Sequence, residues 1–352
     1  MLEHVLEEYG FKKDCIVLPF GNGLINHTWK LTDGNNDYIL QKINEQVFTK
    51  PEVIAKNINN ISHYLSQQAP HYIFPTPVKN RSGKELLYLR EQGYFRIFPF
   101  IKKSHSIDTV STQKQANEAA KAFGHFTKLL ASFNAAALGI TLKDFHNLSL
   151  RYQQFETALK NGNKERIQQS QKLIQTLISS RSIVEDYKSI CSNPDFKIRV
   201  THHDTKISNV LFDEDDNSIC IIDLDTVMPG YFISDVGDMI RTYLSPAGEE
   251  EKDLSIIEVR EDFFQSVVCG YLSEMKYELT EREKQSFVYA GKFLIYMQAL
   301  RFLTDYLNGD IYYRAAYEGH NLMRAQNQSV LLQRLCEKEK SLEAIVKKIL
   351  EN

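Results

Sequence analysis

Thr201-His202-His203-Asp204-Thr205-Lys206-Ile207-Ser208-Asn209, continued by Val210-Leu211-Phe212 and later by Ile219-Cys220-Ile221-Ile222-Asp223-Leu224-Asp225, is the stretch on which the reading of this chain turns. Two short apolar runs, Val210–Phe212 and Ile219–Ile222, flank Asp213-Glu214-Asp215-Asp216-Asn217-Ser218. Asp and Asn side chains bond to their own backbone in turns. The segment therefore predicts strand, turn, strand, with the four acidic residues as a solvated turn and not a metal site. Such a hairpin carries Asp223, fourteen residues after Asn209, back towards Asn209 and Asp204.

Upstream, the first hundred residues predict a small sheet. Cys15–Phe20 reads as a strand broken by Gly21-Asn22-Gly23. A second strand starts near His27, Asp33-Gly34-Asn35-Asn36 has the chemistry of a hairpin turn, and Tyr38–Ile43 reads as a third strand. Pro51 suits the first turn of a helix running to Gln68. Residues 86–101 give two more strands with Gly93 between them. Beyond residue 101 the periodicity becomes helical: an Ala-rich helix over 112–136, one or two helices over 149–190, and helices again over 258–350. The expected class is α+β. It has a five-stranded antiparallel lobe over 1–101 and a larger, mainly helical lobe over 102–352, joined without a flexible linker.

Composition narrows the function classes. Charged residues make up 25% and the net charge is −3, so nothing offers the basic surface that nucleic acid requires. Leu2, Val5, Leu6 and Tyr9 predict a short amphipathic helix in MLEHVLEEYGF, which lacks the apolar run of a secretory signal. No stretch of about 18 apolar residues predicts a membrane span. The five cysteines are scattered and odd in number, which points to a reducing, cytoplasmic setting.

The residue types then point to chemistry. Phosphoryl transfer needs a carboxylate to orient an attacking hydroxyl and take its proton. It also needs an amide oxygen and a second carboxylate to hold Mg2+ against phosphate oxygens. Asp204 fits the first role and Asn209 with Asp223 the second, Asp225 being the alternative to Asp223. Asp and Asn also cap ordinary loops, so it is the combination with a strand-borne Asp223 that argues for a site. Gly21-Asn22-Gly23 would let backbone amides approach phosphates. Lys42 is a candidate phosphate partner with Glu52 as its ion-pair mate, although either residue can equally be solvated. His202 and His203 match neither a His-Glu-x2-His metal helix nor a Gly-x-Ser-x-Gly hydrolase elbow, and are read as holding the loop.

On these residues the chain resembles the aminoglycoside phosphotransferase and choline kinase group, relatives of the protein kinases. Thr201–Asn209, Ile222-Asp223-Leu224-Asp225-Thr226-Val227-Met228-Pro229-Gly230, Asp235–Arg241, Tyr38-Ile39-Leu40-Gln41 and Arg301–Tyr312 are similar to the bacterial N-acetylhexosamine 1-kinases. The resemblance covers nearly the whole chain. It implies a bilobal protein kinase-like fold, ATP as co-substrate, Mg2+ as cofactor, and phosphorylation of GlcNAc or GalNAc at the anomeric hydroxyl. The expected adenine site lies against Pro99, Phe100 and Ile101. The expected sugar contacts are Asp204, Arg301, Tyr312 and the loop residue Leu24. Two departures stand out: the family tolerates Gln at the position of Lys42, and Leu24 is apolar where a polar residue is expected. The alternatives are a same-fold kinase of another sugar, choline or an aminoglycoside, or a nucleotide-binding protein without catalysis. The expected partners are small molecules alone, and no oligomeric state follows from the sequence.

Overall fold

The structure, a computed structural model, describes residues 2–12, 15–21, 25–313 and 315–351. Helix α1 (Leu2–Glu8) precedes β1 (Ile16–Pro19), β2 (His27–Asp33) and β3 (Asn36–Lys42). Then come α2 (Pro51–Gln68), β4 (Leu87–Leu89) and β5 (Gly93–Pro99). These five strands form one antiparallel sheet in the order β1-β2-β3-β5-β4. Gly34 at φ +59° makes the β2–β3 turn, as the Asp-Gly pair predicts. One sheet face is sealed by α1: Val5, Leu6 and Tyr9 pack with Leu31, Leu40, Leu87, Leu89, Phe95 and Ile97 in a small separate core.

Helix α2 faces elsewhere. Ile54, Ile58, Ile61 and Leu65, spaced three or four residues apart on one stripe, join the core of the helical region. Asn57 fastens it: its Nδ2 donates to Gly139 O at 2.8 Å and Val227 O at 3.0 Å, and its Oδ1 accepts from Gly139 N at 2.8 Å.

The larger part begins with β6 (His105–Ser106) and α3 (Gln113–Leu129), which opens on a Thr112–Gln115 capping box. The helix expected to reach residue 136 ends at Leu129, and Asn134 caps a separate single turn over Ala135–Ala137. Residues 148–192 form four helices, more than expected: α4 (Leu148–Asn161), α5 (Lys164–Gln169), α6 (Gln171–Ser179) and α7 (Ser182–Ser192). Asn163 starts α5 by accepting from Arg166 N, and the Ser170 hydroxyl bonds back to Arg166 O where α5 gives way to α6. Both are residues whose side chains compete for the backbone.

Next come β7 (Arg199–Thr201), β8 (Val210–Phe212), β9 (Ser218–Ile221) and β10 (Met228–Gly230). The β8–β9 hairpin pairs with β6, and β7 pairs with β10. Asp213 Oδ1 accepts from the Asp215 and Asn217 amides, so the acidic segment is an exposed turn. Helices α8 (Phe232–Tyr243), α9 (Glu261–Met275), α10 (Glu281–Lys284), α11 (Phe287–Leu307), α12 (His320–Glu337) and α13 (Glu339–Glu351) complete the chain. Nearly all of α11 is buried, including Phe293, Tyr296 and Leu300, which makes it the axis of the helical core. Among the described residues, the fold is the expected α+β, bilobal one: a five-stranded antiparallel sheet beside a mainly helical body, with thirteen helices in all. No described helix is long and apolar enough to cross a membrane, and no disulfide links the five cysteines among the described residues.

Candidate active site

The loop after β7 is shaped by buried carboxylates of α8. Asp235 accepts the backbone N–H of His202 at 2.9 Å and of His203 at 2.7 Å, and Asp238 accepts that of Thr205 at 2.8 Å. The Thr205 hydroxyl donates to Asp235 O, and the Tyr243 hydroxyl donates to Thr205 O. These bonds hold His203 at φ +66°, a left-handed conformation that a side-chain-bearing residue adopts only when held there. Burial pushes Asp235 up to about 7 against the pull of the two N–H groups, and burial raises Asp238 against the pull of Arg241. Arg241 reaches Asp238 Oδ1 at 2.9 Å and Glu249 at 2.8 Å, so this acidic pair has a counter-charge.

His202 and His203 hold the loop, as their sequence position suggests. His202 Nε2 lies 3.0 Å from Ile222 O, on the strand end that carries Asp223. His203 Nε2 lies 2.7 Å from Thr201 Oγ1, and its Nδ1 lies 3.4 Å from His146 Nδ1. Burial pushes His203 down to about 4, so it is neutral at physiological pH.

The structure brings Asp204, Asn209 and Asp223 to one place. Asn209 Nδ2 donates to Asp204 O at 2.8 Å and to Asp204 Oδ2 at 3.0 Å, while Ile222 N donates to Asn209 O at 2.8 Å. The Ile222–Asn209 bond ties the start of β8 to the end of β9, so the hairpin sets the spacing. Asp223 sits just after β9 at φ 59°, ψ 59°, a left-handed backbone conformation. Burial raises Asp223 to about 7, helped by the charges of Asp225 and Asp204 and opposed by Lys206 and Arg96. Water reaches this residue, so part of that shift is screened. Among the described residues no protein donor reaches the Asp223 carboxylate or Asn209 Oδ1. Two hard oxygen donors without protein partners, crowded by like charge, fit a divalent cation such as Mg2+.

Asp225 has different partners. It is 1% exposed, and Arg96 Nη1 lies 2.5 Å from its Oδ1. Oδ1 has that charge beside it but no well-aligned donor, while Oδ2 accepts from Asn26 Nδ2 at 2.8 Å. The geometry thus favours Asp223 over Asp225 for a cation and makes Asp225 a tie between the sheet and the loop below it.

Strand register decides which sheet residues face this cleft. Gln41 stands opposite Arg96, and Ile39 opposite Phe98. Arg96 donates to Gln41 Oε1 at 3.0 and 2.8 Å and points to Asp225, so this is the cleft side. Leu18, 60% exposed, pairs with Lys30 on the same side and leaves apolar surface there for a flat base. Lys42 stands opposite Phe95, on the α1 side of the sheet, with its ammonium 5.9 Å from the Phe95 ring. The structure does not bring it to Glu52, whose carboxylate takes the Tyr94 hydroxyl. Pro99 ends β5 and Phe100 and Ile101 follow it; Phe100 N donates to Asp37 O, and its ring meets Phe20 edge-on at 6.0 Å. Gly21, two residues past the end of β1, stands at φ +74°, while Asn22, Gly23 and Leu24 lie outside the described residues.

Arg301 and Tyr312 are brought together: the Arg301 guanidinium lies 5.9 Å from the Tyr312 ring, 5.2 Å from Tyr313 and 5.6 Å from Phe145. Phe145 in turn meets the His203 ring edge-on at 6.4 Å, which places this aromatic group beside the loop that carries Asp204. Tyr312 is 69% exposed and free to meet a ligand.

Three residues in the site were not assigned from sequence. Lys206 Nζ lies 3.1 Å from Asp204 Oδ2; burial alone would lower its ammonium, but Asp204 and Asp223 hold it above its usual value. Its position two residues after Asp204, on the same side of an extended segment, was the available signal. Arg96 offered a weaker one, as a cation between Phe95 and Ile97 on a strand. Asn26 offered none.

A family model described as "Phosphotransferase enzyme family" matches residues 16–260. Among solved structures, a microcompartment-associated aminopropanol kinase is similar at TM-score 0.65 and 17% identity, covering 97% of this chain and 98% of that one. A spectinomycin phosphotransferase in complex with ADP and spectinomycin gives 0.61 and 14%, over 96% and 98%. A choline/ethanolamine kinase family protein from Mesorhizobium loti gives 0.59 and 14%, over 98% and 95%. At these identities the likeness speaks for the fold.

Proposed function

The chain belongs to the phosphotransferase enzyme family, and we propose that it transfers the γ-phosphoryl group of ATP to the anomeric hydroxyl of GlcNAc or GalNAc. The observation that carries the reading is the meeting of Asp204, Asn209 and Asp223 beside an aromatic pocket that holds Arg301. In this reading residues 1–101 supply the nucleotide wall and 102–352 the catalytic loop and the sugar pocket. The adenine lies against Leu18, Ile39 and Phe100, and the phosphates run under the turn that starts at Gly21.

Asp204 orients the C1 hydroxyl and takes its proton as the oxygen–phosphorus bond forms. The bond from the γ-phosphorus to the bridging oxygen breaks, and ADP leaves with that electron pair. A strong base is not required, because the hydroxyl becomes acidic only late in the transfer. Lys206, beside Asp204, meets negative charge that spreads over the phosphoryl oxygens. Asn209 Oδ1 and the Asp223 carboxylate would hold Mg2+, which supplies charge neutralisation at the phosphates when bound. Most of the rate gain then comes from positioning and electrostatics.

The pocket supports a neutral acceptor over choline or an aminoglycoside. Burial lowers Arg151, and the nearby Arg301 charge lowers it further, so two guanidiniums stand close at this end. Such a field repels an ammonium substrate. Among the described residues Arg301 has one side-chain hydrogen bond, to Gln298 Oε1 at 3.2 Å, which leaves donors for sugar or acetamido oxygens.

The test is product analysis. Purified protein with ATP, Mg2+ and each of GlcNAc, GalNAc, other sugars and amino alcohols is assayed for ADP release, and the phosphate position is read by NMR. The expected product is the 1-phosphate of an N-acetylhexosamine. Phosphate on another hydroxyl, or turnover of amino alcohols alone, would overturn the reading.

A further inference from the structure

The segment after α11 presents two tyrosines, and one buried carboxylate decides where they stand. Asp305 is 6% exposed and lies in the last turn of α11. Its Oδ1 accepts the Tyr312 N–H at 2.8 Å and its Oδ2 the Tyr313 N–H at 2.9 Å. Oδ2 also accepts from Asn321 Nδ2 of α12 at 3.2 Å, and that amide reaches on to Asp310 Oδ1 at 2.9 Å.

Local preference argues against this residue here. A carboxylate in the last turn of a helix is opposed by the helix dipole. Arg301 lies four residues earlier, on the same face, where an ion pair with Asp305 would be the ordinary outcome. No such pair forms among the described residues. Both Asp305 oxygens instead take backbone N–H groups of consecutive residues, a two-point hold that sets the direction of the chain as well as its distance. Among the described residues the Arg301 guanidinium remains without a carboxylate partner, with the Tyr312 and Tyr313 rings at 5.9 and 5.2 Å.

We propose that Asp305 is a positioning residue for the acceptor: by gripping the Tyr312 and Tyr313 amides it holds both rings over Arg301 and keeps Arg301 free for the substrate. This rests on the reading of Arg301 and Tyr312 as acceptor contacts. Removing one oxygen acceptor loosens that grip without touching the nucleotide side, so the effect falls on acceptor binding.

The experiment compares wild type with Asp305→Asn for steady-state constants in both substrates. The expected result is an acceptor KM raised about tenfold, kcat at saturating acceptor within about threefold, and ATP KM within about twofold. A purely structural role would move both KM values and the yield of active enzyme together. Acceptor KM within about twofold of wild type, or a parallel rise in ATP KM, overturns the proposal. If Asp305→Asn does not accumulate as folded protein, amide hydrogen exchange of the wild type decides. The Tyr312 and Tyr313 amides are expected to exchange at least about tenfold slower than their intrinsic peptide rates, and intrinsic-rate exchange sinks the idea. A wild type that phosphorylates no N-acetylhexosamine refutes the substrate reading alone. An unchanged acceptor KM in a variant of an active wild type refutes the role of Asp305 alone.

Discussion

Replacing Arg96 with Met tests the tie between the sheet and the cleft floor. Arg96 and Asp225 are 4% and 1% exposed at the side chain, with 2.5 Å between Nη1 and Oδ1. Met keeps most of the volume and removes the charge. Among the described residues, Asp225 is then a buried carboxylate whose remaining donor is Asn26, and breaking a buried pair from one side costs about 3–5 kcal/mol. Unfolding entropy of about 2.1 cal/mol/K per residue, over 352 residues, converts this into a fall in Tm of about 4–7 °C. Scanning calorimetry on the nucleotide-free protein measures it. The partner variant Asp225→Leu and the double variant complete a cycle, and the double variant is expected to recover at least about 2 kcal/mol relative to the sum of the singles. Additive singles, or a Tm within about 1 °C of wild type for Arg96→Met, would refute the reasoning.

Asp204→Asn keeps the loop shape but has no base; kcat is expected to fall about 10²–10⁴-fold while calorimetric ATP affinity stays within about threefold. Gly230→Ala places a Cβ 2.4 Å from both His203 Cε1 and Thr201 Oγ1, so it should destabilise by about 1–3 kcal/mol and lower kcat more than it raises ATP KM. His203 has a folded value lowered to about 4 from 6.5, so the unfolded chain binds its proton first as pH falls. Its contribution is complete above pH 6.5 and is lost as pH drops from there towards 4, by about 3 kcal/mol. Tm measured from pH 7 to 4 should fall less steeply in His203→Asn than in wild type, and equal slopes would count against a neutral buried histidine.

The Asp204–Asn209 loop and the five strands were legible because their signals are local. Asp204, Asn209 and Asp223 lie within twenty residues, and turn chemistry at Gly34 and Asp213–Asn217 marks the hairpins. What escaped depends on register and on distant pairings. Lys42 looked like a phosphate residue until pairing with β5 put it opposite Phe95 and put Gln41 opposite Arg96. One step of alternation separates the two faces, and nothing near Lys42 in the sequence marks which face is covered by α1. The Arg96–Asp225 contact joins residues 129 apart, a pairing no local pattern announces. Residues 258–350 read as helix throughout, and the break after Leu307 that displays Tyr312 became visible only with Asp305 and its two amide partners in place.

The fastening of α2 has a mechanical consequence. Although it lies in the chain between β3 and β4, its apolar stripe and the Asn57 bonds make it part of the larger body. Any displacement of the sheet and α1 relative to the helical body would have to bend the connections that flank α2 and the end of β5, leaving α2 in place. The helix stays behind as bedrock.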